Sequence, residues 1–487
     1  LMTMPVEYSK YAPVIGLEIH IQLSSKSKAY SSDSTTYGES PNTNVSPVSL
    51  GHPGTLPLMN KKTIEYAVRL GLAVGSDIRE YNEFARKNYF YADLPKGYQI
   101  TQHETPICTG GEVLVKDKEG NPKIIGITRI HMEEDSGKSM HDIDPFNTLI
   151  DLNRAGVPLL EMVSEPDFRS GEEAYSYLSE VRKLVRYLDI SDGNMEEGSM
   201  RCDVNVSVRP KGQEEFGTKV EVKNMNSFRN VQKAIDFEIK RQIELIEGGG
   251  KVEQTTMNFN AATGETVLLR AKEDAHDYRY FTEPDLQPVV VTKDYVSEVK
   301  KHMPTLPAEL YKKYVEELKL SKYDAAILTE SKSIALYFED LIEHTQNTKA
   351  AANWMMGDIK SFLNAKAMEI ADFPIAPEKI ATLIQLVDDS KISNTVASQK
   401  LFPLLIEKST KDPLTLAQEN NWIQESNQDA LQEFVQAALA KYPAKVEEYK
   451  NGKKGVLGLF MGEVMKMSQG KADPKVTNQL VREALEK

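Results

Sequence analysis

Cysteine is scarce in this chain of 487 residues, which contains only Cys108 and Cys202. Two cysteines exclude a disulfide framework and a four-cysteine zinc site, and they fit a reducing compartment. Long apolar runs are absent too, since no stretch approaches the roughly 18–20 apolar residues of a membrane span. Residues 1–9 resemble neither a signal peptide nor a transit peptide. We therefore expect a cytoplasmic protein without membrane contact.

Positive charge is in deficit, because 59 Lys and Arg face 72 Asp and Glu, for a formal net charge of -13. This balance argues against a protein that coats nucleic acid indiscriminately, but it leaves room for a local basic patch. Residues 441–487 form such a patch, with ten Lys or Arg and six acids. Contact with a polyanion and solvated helix faces both fit this segment.

Several nucleotide-binding and hydrolase motifs are missing. Gly137-Lys138-Ser139 has Met132 where the first glycine of a Walker phosphate loop belongs. The Rossmann glycine fingerprint, His-Glu-x-x-His and Gly-x-Ser-x-Gly are also absent. Any phosphoryl chemistry would therefore need a metal held by carboxylates, with Lys and Arg meeting the phosphates individually.

The chain is too long for one hydrophobic core, and the secondary structure that its sequence pattern predicts changes along its length. Residues 1–297 are rich in β-strand patterns, whereas the rest is helical in pattern. We predict an α+β protein with domains at 1–297, 298–412 and 413–487. Residues 26–57 should form a loop, and helical spacing predicts helices at 61–74, from Ser170 to Asp189, and at 228–247, with further starts at Ser321, Ala376 and Asp412.

The segment 128–167 carries the strongest functional signal. Side chains alternate between the two faces of a strand, so Ile130 and Met132 share a face that ends in Glu134, while Arg129, His131 and Glu133 share the other. Residues 149–163 have the pattern of a hairpin that turns at residues 154–158.

Glu161 interrupts the apolar return strand of this predicted hairpin. A buried carboxylate must be paired, protonated or bound to a metal. The strand at 14–23 supplies partners, because Glu18 and His20 lie roughly 6–7 Å apart on its polar face. With Glu134 and Glu161 they form a set of three carboxylates and one imidazole, which favours Mg²⁺ or Mn²⁺ over zinc. A solvated sheet face is the alternative.

Two further stretches have polar faces that fit a nucleotide or a nucleic-acid end. Strand alternation places Lys87, Tyr89 and Tyr91 on one face, with Lys96 beyond a turn, so that rings could stack on bases and cations could meet phosphates. Tyrosines packed over a sheet edge would give the same pattern. Later strands present further polar residues that suggest a shared cleft floor: Arg201, Asp203, Asn205, Ser207, Lys219, Glu221 and Lys223.

The same residues carry a resemblance to the B-subunit family of bacterial aspartyl/glutamyl-tRNA amidotransferases. Six ordered motifs resemble that family: VIGLEIH at 14–20, RKNYFY at 86–91, RIHMEED at 129–135, LEMVSEPD at 160–167, MEEGS at 195–199 and DYRYF at 277–281. Shorter matches follow them in the chain, at 462–466, 470–471 and 478–480.

The resemblance implies a cradle domain around an antiparallel sheet, a helical domain, and a small helical tail that contacts tRNA. It implies a bacterial cytoplasmic ligase that uses ATP to phosphorylate the side chain of Glu on tRNA(Gln) or Asp on tRNA(Asn). Ammonia from the amidase, which is the A subunit, then displaces phosphate. A small C subunit is the third member of the implied heterotrimer. No amidase signature is present in this chain.

Carried onto this sequence, the resemblance implies Mg²⁺ or Mn²⁺ as cofactor and ATP as substrate, with the metal ligands at Glu18, His20, Glu134 and Glu161. Zinc is not expected, because Ser31, Asp33, Ser46 and Ser49 stand where some members have cysteine pairs. The candidate catalytic residues are Glu134, Arg129, His131 and Lys138. The candidates for binding ATP or the tRNA acceptor end are Lys87, Tyr89, Tyr91, Lys96, Arg201, Asp203, Asn205 and Lys223.

Two other functions remain open at this stage. The chain could be a non-catalytic RNA-binding scaffold, in which the acidic residues only fix the sheet. A metal-dependent ligase of a free small molecule fits the basic C-terminal segment less well. The sequence does not decide between Glu-tRNA and Asp-tRNA as substrate.

Overall fold

A long mixed sheet organises the first half of the chain. The computed structural model describes residues 6–271, 278–423 and 428–486. Two compact units emerge, Leu1–Leu306 and Pro307–Lys487. The first unit extends past the predicted boundary at residue 297, because Val299 packs in its core. The predicted boundary at residue 412 lies within the second unit.

The first unit contains all the strands of the described residues, numbered here in chain order. They are β1 (Tyr11–Gln22), β2 (Asp77–Ile78), β3 (Tyr81–Asn82), β4 (Ala85–Asn88), β5 (Tyr98–Thr101), β6 (Cys108–Thr109), β7 (Glu112–Lys116), β8 (Pro122–Glu134), β9 (Lys138–Met140), β10 (Leu149–Asp151), β11 (Pro158–Ser164), β12 (Met200–Pro210), β13 (Val220–Lys223), β14 (Thr255–Asn260), β15 (Glu265–Ala271), β16 (Arg279–Thr282) and β17 (Val289–Val290).

Ten of these strands form the main sheet, in the order β15-β14-β13-β12-β1-β11-β8-β6-β2, with β7 also paired to β8. The resemblance implied an antiparallel sheet, but the sheet is mixed because β13 and β14 run parallel. A smaller three-stranded sheet has the order β16-β4-β5, and β9 and β10 form a two-stranded sheet. The predicted α+β class is confirmed.

The predicted hairpin at 149–163 is wrong. β10 pairs with β9, whereas β11 pairs with β1 on one side and β8 on the other. Both edges of β11 are therefore occupied by long strands, and its Leu160 and Met162 are completely buried in the core. The turn before β11 contains Gly156 at a φ of 90°, a left-handed conformation that favours glycine.

The three long helices of the first unit follow the sequence pattern. α1 (Lys61–Val74) and α3 (Phe228–Glu247) have the predicted limits, and α2 (Gly171–Tyr187) ends two residues before the predicted Asp189. The Ser170 side chain accepts a hydrogen bond from the Glu173 amide, which caps α2. These helices bury apolar faces in the same core as the sheet, and α4 (Lys293–Lys301) adds Val299 to it.

In its described residues the second unit is built from helices joined by short loops. Ser321, Ala376 and Asp412 are N-cap residues, as predicted. None of the helices in the described ranges has the length and apolar character required to cross a bilayer. The helices are α5 (Pro307–Glu316), α6 (Lys322–Leu328), α7 (Lys332–Glu343), α8 (Thr348–Trp354), α9 (Lys360–Lys366), α10 (Pro377–Asp388), α11 (Asn394–Val396), α12 (Phe402–Glu407), α13 (Pro413–Glu419), α14 (Gln428–Lys441), α15 (Pro443–Lys450), α16 (Leu457–Met467) and α17 (Pro474–Glu486).

Candidate active site and metal centre

A row of ionisable side chains crosses four neighbouring strands of the main sheet. The strand register places Arg201 opposite His20, His20 opposite Glu161, and Glu161 opposite His131. Directly opposed residues project from the same face of a sheet. The other face of these strands is apolar and fully buried, so the polar row lies on the side away from the main core.

Two carboxylates and two imidazoles meet in this row. His131 Nε2 lies 3.1 Å from Glu161 Oε2 and 3.5 Å from Glu133 Oε2. His20 Nε2 lies 3.5 Å from Glu161 Oε2 and 3.5 Å from Glu133 Oε1. We call His20, Glu133, Glu161 and His131 the histidine–carboxylate cluster.

Burial and mutual attraction set the charge of this cluster. Burial disfavours the charged form of His131, but Glu161 and Glu133 outweigh it and raise its pKa to about 9. Burial likewise opposes charge on His20, whose pKa is nevertheless raised by Glu161 and Glu133. The pKa of Glu161 is held well below its ordinary value, against burial, by His131 and His20. Glu161 therefore remains anionic near neutral pH.

The cluster has the donors of a divalent-ion site. One donor atom from each of His20, Glu133 and Glu161 lies within 4.8 Å of the others. Two carboxylates and one imidazole form an oxygen-rich set, which fits Mg²⁺ or Mn²⁺. Glu133 was not among the predicted ligands, although strand alternation had already placed it on the face of His131.

Glu134 lies elsewhere and does not join this group. Its side chain shares the opposite face of β8 with Ile130 and Met132, where it forms an ion pair with Lys96 and accepts a hydrogen bond from the Ile100 amide at 2.9 Å. The prediction that Glu134 completes the ligand set therefore fails on geometry. Adjacent residues on a strand point to opposite faces, so only one of these two glutamates can face the cluster.

Glu18 lies on the cluster's face, in the next row of the sheet. Its Oε1 accepts a hydrogen bond from Asn205 Nδ2 at 3.0 Å. Burial raises the pKa of Glu18, and the nearby Glu161 and Asp203 raise it further. Glu18 is thus close enough to interact with Glu161, although it is not among the three donors that converge.

The predicted basic residues of the cleft floor are engaged in ion pairs. Arg201 Nη2 donates to Asp135 Oδ2 at 2.7 Å, beside the cluster. Lys223 pairs with both Asp203 and Glu221, which together outweigh burial and raise its pKa. The expectation of a polar floor with both signs of charge therefore corresponds to a real hydrogen-bonded face.

The small sheet turns one face toward the cluster. Tyr280, Lys87 and Gln99 are opposed across β16, β4 and β5, so they share a face. On that side Gln99 Nε2 donates to the Glu134 carbonyl at 2.6 Å, and Thr101 Oγ1 donates to Glu133 Oε2 at 3.3 Å. Lys87 is thereby placed near the carboxylates.

Comparison with known proteins identifies the family. Residues 13–297 match the model of the GatB/GatE catalytic domain, and residues 336–485 match that of the GatB domain. The chain belongs to the GatB family. The match to the catalytic-domain model includes every residue of the histidine–carboxylate cluster.

Curated relatives in the GatB family match along nearly the whole chain. The B subunit of aspartyl/glutamyl-tRNA(Asn/Gln) amidotransferase from Caldicellulosiruptor saccharolyticus is 48% identical over 481 residues, which cover 98% of this chain and 100% of the relative. The protein of the same name from Persephonella marina is 46% identical over 477 residues, with 98% and 100% covered. That from Trichodesmium erythraeum is 48% identical over 493 residues, with 99% of each covered.

The remaining predicted GatB site residues lie outside the cluster. Tyr89 and Tyr91 follow the end of β4, in the loop to β5, so they do not continue its alternation. Arg129 is exposed on β8, and Lys138 is exposed on β9 in the separate two-stranded sheet. Residues 272–277, which include the first residue of the DYRYF motif, lie outside the described residues.

The four positions compared with cysteines in other GatB proteins lie together in the 26–57 loop. Asp33 Oδ2 accepts hydrogen bonds from the Ser46 amide at 3.0 Å and the Ser46 hydroxyl at 2.9 Å, and also from Ser49. The Ser31 and Ser49 hydroxyls lie 3.5 Å apart. The fully buried Lys28 completes this network by donating to the Asn44 carbonyl at 2.6 Å.

A second group of possible ligands lies in the second unit. Asp340 on α7 and His344, its C-cap residue, converge with Glu378 on α10, but all three are exposed. His344 Nε2 lies 3.2 Å from Asp340 Oδ1, a contact between residues four apart on a helix. Exposed acids are common without an ion, so this group has less weight than the buried cluster.

Proposed function

We propose that this chain is the B subunit of a tRNA-dependent amidotransferase, in which it activates an aminoacyl side chain at the histidine–carboxylate cluster. The observation that carries the proposal is the convergence of His20, Glu133 and Glu161 on one sheet face of a GatB-family chain. The relatives' names specify aspartyl/glutamyl-tRNA(Asn/Gln) as the compounds on which those proteins act.

The proposed reaction has two steps. The side-chain carboxylate of Glu or Asp on tRNA attacks the γ-phosphorus of ATP, giving an acyl phosphate and ADP. Ammonia then attacks the acyl carbon and displaces inorganic phosphate, giving the amide, and the proton lost by ammonia goes to solvent or a nearby base. Mg²⁺ or Mn²⁺ held by His20, Glu133 and Glu161 would offset the negative charge of the phosphates.

The protein's own residues would position the reactants. His131 bridges Glu161 and Glu133 and so fixes both carboxylates in one orientation. Lys87 supplies a cation on the facing small sheet, and Arg201 supplies another on β12. These two side chains are suited to meet phosphate oxygens individually, which a chain without a Walker loop requires.

Ammonia must come from another protein in this proposal. The chain shows no amidase signature, and the relatives are named as one subunit of an enzyme. We infer two partner proteins, an amidase that is the A subunit of the complex and a small C subunit, with tRNA(Gln) or tRNA(Asn) as the nucleic acid. The basic segment 441–487 would be a contact for tRNA.

The decisive experiment replaces Glu161 by Gln in the assembled complex. We expect amidation of Glu-tRNA(Gln) and Asp-tRNA(Asn) to fall roughly 100-fold or more, because the variant loses a charged ligand of the cluster. Glutaminase activity should stay within about two-fold, since it belongs to the amidase partner.

The matched control is Glu165→Gln, which changes an exposed glutamate just beyond the same strand. It should leave amidation unchanged. Normal amidation by the Glu161 variant would instead support the scaffold function, in which the cluster only stabilises the sheet.

A further inference from the structure

A stack of two aromatic rings, of which His103 is exposed, lies beside the histidine–carboxylate cluster. The rings of His103 and Tyr280 are 4.1 Å apart between centroids and 12° from parallel. One face of the imidazole is thus covered by Tyr280, while 45% of the His103 side chain remains exposed. A third flat ring can extend such a stack on its outer side.

The backbone around His103 is firmly held. Thr101, two residues earlier, donates to Glu133 of the cluster. Gln102 Oε1 accepts hydrogen bonds from the Met132 amide at 3.0 Å and the Ile107 amide at 3.2 Å. An exposed ring on a backbone tied to β8 loses little conformational entropy when a ligand binds.

Tyr280 connects the stack to the site electrostatically. Its ring lies on the face of the small sheet that carries Lys87. Burial raises the pKa of its phenol, Lys87 opposes the rise, and Glu161 and Glu133 add to it. A base stacked here would therefore lie on the side of the small sheet that carries Lys87.

Two more aromatic rings lie close to Lys87. Tyr278 is 37% exposed and has the Lys87 ammonium 4.5 Å from its ring centroid. Tyr89 packs edge-on against Tyr278, with centroids 5.7 Å apart. Aromatic faces interleaved with a cation are suited to bind a base and its phosphate.

We propose that the His103–Tyr280 pair is a stacking platform for an adenine base. The assignment of adenine rests on the proposed function, whose two substrates both carry it: ATP, and the terminal adenosine of tRNA. The platform would set the position of the nucleotide and take no part in the chemistry.

Direct binding to the complete complex tests the platform without requiring turnover. Affinities for radiolabelled ATP and for tRNA are measured with wild-type chain, His103→Ala and His103→Phe. The alanine variant should bind one of the two at least about five-fold more weakly, and phenylalanine should restore most of the affinity because it keeps a flat ring. A loss of affinity for ATP would assign the platform to ATP, and a loss of affinity for tRNA would assign it to the acceptor end of the tRNA.

Two controls complete the design. Inorganic tripolyphosphate has no base, so its affinity should be the same for wild type and His103→Ala. The exposed His52→Ala should bind both ligands normally. Unchanged affinity for both ATP and tRNA in His103→Ala, or an equal loss in the alanine and phenylalanine variants, would overturn the platform. These binding results stand whether or not Glu161→Gln abolishes amidation.

Discussion

Two neighbouring regions of the first unit hold buried charge in opposite ways. In the histidine–carboxylate cluster, Glu133 and Glu161 converge on the same pair of imidazoles. On the other face of β8, Glu134 has a dedicated lysine partner in Lys96. The imidazoles that balance these carboxylates can release their protons and become metal ligands, whereas the Lys96 ammonium is a donor only. Buried charge alone therefore does not mark an ion site, but carboxylates that converge with imidazoles have the donors of one.

The pocket around Glu134 illustrates the structural role of paired charge. Lys28, Lys96, Glu134 and Gly156 line it. Lys28 Nζ donates to backbone carbonyls and lies 4.0 Å from Asp33 Oδ2, so its ammonium joins the 26–57 loop to the turn before β11. Each cation here has acceptors within the protein, which leaves no surplus charge for an added ion.

The largest expected effect on stability is at Glu134. Glu134→Gln removes the buried partner of Lys96 and should lower the free energy of unfolding by about 3 kcal/mol or more. The loss should be the same with and without Mn²⁺, as measured by urea denaturation. Glu165→Gln is the exposed control, with an expected change below about 0.5 kcal/mol. A loss below about 1 kcal/mol for Glu134→Gln would break the contrast between the two regions.

Lys28 should make the free energy of unfolding depend on pH. Burial lowers its pKa from 10.5 to about 8, although Asp33 and Glu134 oppose the shift. Between pH 8 and 10.5 Lys28 is protonated in the unfolded chain but largely deprotonated in the folded chain. The free energy of unfolding therefore rises with pH over this range, by up to about 3 kcal/mol. Lys28→Met should lack this rise, so its deficit relative to wild type should grow over that range. A constant difference in urea titrations would show that Lys28 titrates normally.

A smaller effect is expected on the half-exposed polar face. Asn205→Ala removes the hydrogen bond to Glu18 and should cost about 1 kcal/mol. This loss is smaller than that of Glu134→Gln because Glu18 keeps access to solvent. Thermal unfolding of the two variants under identical conditions provides the comparison. Equal losses would mean that the polar face is as tightly packed as the pocket.

Local sequence pattern predicted much of the fold. The limits of α1 and α3 followed from helical periodicity and flanking residues, and the alternation of β1 followed from its strict period of two. The need of Glu161 for a partner was also evident from its apolar neighbours. In each case the deciding interactions are close along the chain.

The two predictions that failed, the hairpin and the ligand Glu134, depend on contacts between segments that are distant in the sequence. A turn at 154–158 indicates that the chain reverses, but it does not say that β11 inserts between β1 and β8. Likewise, alternation separated Glu133 from Glu134, yet only the cross-strand register shows which face meets His20 and Glu161. The face shared by His131 and Glu133 was the available signal for the correct ligand.

We propose that a divalent ion binds at the cluster and not in the Glu134 pocket. Equilibrium binding of Mn²⁺ to the complex, compared among wild type, Glu161→Gln and Glu134→Gln, tests it most directly. We expect Glu161→Gln to weaken Mn²⁺ binding at least about ten-fold and Glu134→Gln to change it less than about three-fold. Unchanged binding in Glu161→Gln, or a loss confined to Glu134→Gln, would contradict the account.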